Sequence, residues 1–81
     1  MMPPIDQMAA AATRNQARIL RLVHKNPGLR ADEIASFTET RNTAISSTIC
    51  QGNRVWRLLG WEVTGGKRGY RIKRYLNGAK Q

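Results

Sequence analysis

Ile45, Ile49, Gly52, Trp56 and Leu59 recur at steps of 4, 3, 4 and 3, a stripe that keeps to one face of a helix for four turns. No other feature of the sequence constrains the backbone as strongly. At about 100° per residue the same rotation carries Thr43, Ser46, Ser47, Cys50, Arg54 and Arg57 onto the opposite arc, which contains no acid. A helix over about 41–59 would therefore bury one side and present a small, hydroxylated, cationic side outward. Gly52-Asn53 lowers the stability of such a helix by roughly 1 kcal/mol relative to alanine, which predicts either close packing against the first helix or a kink.

Upstream, Thr13-Arg14-Asn15-Gln16 has the form of a capping box, in which the threonine oxygen accepts an amide and Gln16 reaches back. Ala17, Ile19, Leu20, Val23 and His24 follow at helical spacing until Asn26-Pro27-Gly28 stops the run, so a first helix is expected over about 14–25. Ile5, Met8 and Ala12 extend the stripe of Ile19 and Val23 backwards, which suggests a longer helical arm and a dimer contact. Leu29 suits a brief edge strand. Arg30-Ala31-Asp32-Glu33 then opens a second helix, its acidic first turn matching the dipole and Ile34, Ala35 and Phe37 forming its buried face. The turn Phe37-Thr38-Glu39-Thr40 places Thr38 or Thr40 as the cap of the long helix.

Gly60 ends the long helix, and the remaining chain alternates as a hairpin does. Trp61, Val63, Tyr70 and Ile72 should point inward, with Arg71 and Lys73 outward, around a glycine-rich tip holding Lys67 and Arg68.

Eighty-one residues leave room for one domain with a thin core. The organisation expected is an N-terminal arm over 1–12, flexible or helical, a folded body over 13–75 and a loose tail over 76–81. One His, one Cys and five scattered carboxylates supply no catalytic set, metal site or cofactor cradle, so no enzyme activity, cofactor or metal is expected. A lone Cys50 and the lack of an apolar run near the roughly 20 residues of a membrane span favour a cytoplasmic protein that does not cross a membrane. The formal net charge of +9 calls for a polyanionic partner. It is unevenly placed. Residues 1–53 hold six basic and four acidic side chains, whereas residues 54–81 hold eight basic ones and only Glu62, giving +2 and +7.

Ile19-Leu20-Arg21-Leu22-Val23, Pro27-Gly28-Leu29 leading into Glu33-Ile34-Ala35, Ile45-Ser46-Ser47 and the hairpin Val63 to Ile72 together resemble the winged helix-turn-helix DNA-binding domain. The front half looks like small bacterial or phage repressor domains. Trp56 to Gly60 and Lys67-Arg68-Gly69-Tyr70-Arg71-Ile72 are similar to the end of response-regulator effector domains. The resemblance implies an α+β fold of three helices plus a C-terminal β-hairpin wing over 61–73, and a recognition helix lying in the major groove of duplex DNA.

The residue chemistry is compatible with that expectation. Asn42, Thr43, Ser46, Ser47 and Arg54 are the candidates for reading base edges, since compact amide and hydroxyl groups and an arginine can pair with them. Arg41, Arg57, Lys67, Arg68, Arg71 and Lys73 are the candidates for the DNA backbone or minor groove. The function expected is a sequence-specific transcriptional regulator working as a homodimer or an array, because one small module covers few base pairs. Two alternatives stand beside it: a winged-helix adaptor that docks on a protein partner, and a sequence-neutral architectural protein that binds nucleic acid.

Overall fold

A computed structural model describes residues 2–75, so the expected loose tail over 76–81 lies outside the described residues, as does the Lys67 side chain. The architecture is α+β, with four α-helices and one two-stranded antiparallel hairpin. The helices are α1 (Ile5–Ala10), α2 (Arg14–Lys25), α3 (Ala31–Thr38) and α4 (Asn42–Trp56), and a 3-10 turn over Arg57–Leu59 continues α4. The strands β1 (Trp61–Thr64) and β2 (Arg71–Arg74) follow. Three helices were expected, and the fourth is α1.

The arm is helical but does not run on into α2. Thr13 interrupts it, because its hydroxyl accepts from the Gln16 amide at 3.3 Å while its own amide donates to Gln16 Oε1 at 3.0 Å, starting α2 afresh. α1 turns Met8 and Ala9 into the protein's own core. The Trp56 indole Nε1 donates to the Met8 carbonyl at 2.9 Å, which ties α1 to the far end of α4. One apolar cluster results, built from Met8, Ile19, Leu20, Val23, Ile34, Ile45, Ile49, Trp56 and the hairpin residues Trp61, Val63 and Tyr70.

The second helix departs from expectation in two places. Phe37 is 65% exposed, whereas Thr38 is buried and donates its hydroxyl to the Ile34 carbonyl at 2.7 Å. Ile34 and Thr38, one turn apart, form the inner face, and the internal bond lets a threonine occupy a core position at little cost. Neither threonine caps α4. Thr40 Oγ1 donates to the Thr38 carbonyl at 3.4 Å, and Arg41 occupies the N-cap position without a side-chain bond. Glu39 provides the reversal with φ 57°, in the left-handed region usually left to glycine.

The hairpin register pairs Thr64 with Arg71, Val63 with Ile72, Glu62 with Lys73 and Trp61 with Arg74. Leu29 adds a short third rung, its carbonyl accepting the Tyr70 amide at 2.6 Å while Gly28 N donates to the Tyr70 carbonyl at 2.8 Å. Gly69 is required here because it adopts φ 96° and a Cβ would run into the Gly28 backbone.

Candidate nucleic-acid interface

The two sides of α4 separate as the stripe predicts. Ile45, Ile49, Gly52, Asn53 and Trp56 are buried, while Asn42, Thr43, Ser46, Ser47, Cys50 and Arg54 are exposed. The exposed face is small-headed and carries no acid, so its hydrogen-bonding groups are presented to solvent without a negative field. Arg41 stands at its N-terminal edge, also exposed.

What holds that face in place lies on the buried side. The Asn53 amide clamps β1 by two bonds, its Nδ2 donating to the Val63 carbonyl at 2.9 Å and its Oδ1 accepting from the Val63 amide at 2.8 Å. α4 runs as one helix through Gly52. The Trp56 ring folds back over it, so that a Cβ would lie 2.5 Å from the indole Cη2. The glycine makes room for a tryptophan one turn later, which in turn reaches α1. These groups orient α4 relative to both the hairpin and the N-terminal helix.

On the hairpin, alternation holds. Trp61, Val63 and Tyr70 are buried and Ile72 is half-buried, whereas Arg68, Arg71 and Lys73 are exposed. Thr64, Gly65, Arg68, Gly69, Arg71 and Lys73 line a hollow of ≈ 370 Å³ between the tip and the outer face of the strands. Two backbone segments and three cations around an open hollow suit a small oxyanion such as a phosphodiester oxygen. Thr64 was not singled out from the sequence. Its outward phase in β1, opposite Arg71, was the available signal.

Arg57 is used differently from the other cations. Its Nε and Nη2 donate to Glu62 Oε1 at 3.1 and 3.0 Å, and its guanidinium lies 5.0 Å from the Tyr75 ring centre. It thus fastens the end of the long helical segment to the hairpin and neutralises the only acid of the C-terminal third. Arg74 lies 5.2 Å over the Trp61 ring, covering one edge of the core.

The groups brought together are therefore Asn42, Thr43, Ser46, Ser47 and Arg54 on one helix face, and Arg68, Arg71 and Lys73 around the hairpin hollow. Among the described residues no cluster of three or more His, Cys, Asp or Glu side chains could hold a metal ion, and no helix is long and apolar enough to cross a membrane. Comparison with protein-family models, with curated proteins and with solved structures finds no match to this chain, so the functional reading rests on its own residues.

Proposed function

We propose that the chain is a winged helix-turn-helix regulator that binds double-stranded DNA in a sequence-specific manner, with α4 in the major groove and the hairpin as its wing. The observation that carries this reading is the exposed, acid-free face of α4, held by buried anchors next to a cationic hairpin. The order of α2, α3, α4 and hairpin, with the Leu29 rung beside Tyr70, supports the fold assignment. In this reading Asn42, Thr43, Ser46 and Ser47 meet base edges, and Arg54 takes a guanine or a phosphate. Arg41, Lys67, Arg68, Arg71 and Lys73 neutralise the backbone, and Arg57 positions the wing rather than supplying a phosphate contact.

Selection of bound duplexes from a random pool, followed by footprinting, tests this proposal. A defined consensus is expected, with affinity falling on a log-log salt slope of roughly −0.9 per phosphate neutralised. A two-fold symmetric or repeated footprint would match dimer or array binding. Recovery of random sequences with equal affinity would replace the regulator by a sequence-neutral architectural protein.

A further inference from the structure

A groove lies between α2 and α3. Phe37, on the last turn of α3, keeps 65% of its surface exposed. With Leu22 and Thr38 it lines an open hollow of ≈ 380 Å³ whose other walls are Arg18, Arg21 and Lys25. These cations share a flank because positions 18, 21, 22 and 25 fall within two turns of one face, while Ile19, Leu20 and Val23 turn to the core. Arg21 Nη1 meets Asp6 Oδ1 at 3.2 Å, a pair whose side chains stay 55% and 96% exposed and which solvent screens. Among the described residues no carboxylate lies within ion-pair distance of Arg18 or Lys25. None of the groove residues belongs to the outer face of α4 or to the hairpin hollow.

We propose that this groove docks an acidic segment of another protein, which inserts one apolar side chain against Phe37 and Leu22 while its carboxylates meet Arg18 and Lys25. Charge complementarity selects the occupant. A second copy would bring a chain of formal charge +9, and the most exposed large apolar side chain among the described residues, Leu58, sits next to Arg57 and near Arg54. The chain's own C-terminal residues 76–81 contain Lys80 and no acid. A duplex backbone supplies charge but only phosphate and sugar, leaving Phe37 with nothing apolar to cover it. An acidic peptide with a single apolar anchor satisfies the rim and the floor together, as small hydrophobic hot spots ringed by charge do. The proposal holds whether or not α4 binds DNA.

The test uses the full chain and a fluorescein-labelled dodecapeptide of Asp and Glu around one central Leu, beside a copy with Ser at the centre, followed by fluorescence anisotropy. The Leu peptide is expected to bind about tenfold tighter than the Ser copy, the step expected for one apolar side chain buried. Phe37→Ala should erase that difference. Arg18→Glu with Lys25→Glu should weaken both peptides, whereas Arg68→Glu with Arg71→Glu on the hairpin should leave the difference intact. Phe37 is exposed, so its removal should leave the circular dichroism spectrum unchanged, and the charge variant provides an independent reading should it not. Equal binding of the two peptides overturns the proposal. So does a labelled oligothymidine that binds through Phe37, which would make the groove a base-stacking site, or a concentration-dependent dimer that Phe37→Ala dissolves, which would make it a self-interface.

Discussion

The two halves of α4 are built for different purposes. From Asn42 to Cys50 the helix is held by two isoleucines on its inner side, starts without a side-chain cap, and shows solvent a row of small polar groups. From Gly52 to Trp56 it is bonded to β1 through Asn53 and to α1 through Trp56, and the following Arg57 is tied to Glu62 and stacked near Tyr75. The rear half is an anchor and the front half is a surface held out by it. A small domain has little core to spare, so concentrating its polar fastening in one turn leaves the outward side chains of the front half free of structural duty.

Substitutions should separate the halves. Trp56→Ala should have the largest effect, about 3–5 kcal/mol of stability, because it empties the centre of the core and leaves the Met8 carbonyl without its donor. Urea unfolding would measure it, and Trp56→Phe should recover part of the packing but not the bond. Asn53→Ala should follow at about 2 kcal/mol, since two backbone groups of Val63 lose their partner in a buried setting, and amide exchange at Val63 should quicken. Gly52→Ala should destabilise by about 1–2 kcal/mol even though alanine is the better helix former, because the new methyl must displace the Trp56 ring. A gain in stability there would mean that the ring moves aside freely. Ser46→Ala and Ser47→Ala should change stability by no more than about 0.5 kcal/mol, yet shift base preference by about 1–3 kcal/mol per lost contact in binding titrations. If changes at Ser46 or Ser47 unfolded the protein, or changes at the buried Gly52 or Asn53 altered base preference without affecting stability, the division would fail.

Much of this organisation was legible in the chain. The 4-3-4-3 stripe placed α4 and its inner side, the Thr13 box placed the start of α2, and alternation placed the inward and outward residues of the hairpin. Phe37 was misplaced because a short helix specifies directions around its own axis but not which neighbour covers them. The hydroxyl of Thr38, satisfied within its own helix, removed the objection to burying a threonine instead. Asn53 looked like a weak point in a helix, since a lone polar residue beside a glycine carries no local sign of the strand it grips. Arg57 fell correctly on the outward arc, but Glu62 reaches it only after the chain reverses at Gly60.

The sequence by itself determined the periods, the local stops and starts, and the uneven placement of charge, all of which depend on residues a few positions apart. Only the tertiary structure decided that Met8 belongs to the core, that Trp56 reaches back across 48 positions to hold it, and that Asn53 is a clamp. The reason is physical. Backbone geometry fixes the direction of a side chain within its own element, whereas its hydrogen-bond partner in another element is set by how the apolar faces close over one another, which no single segment encodes.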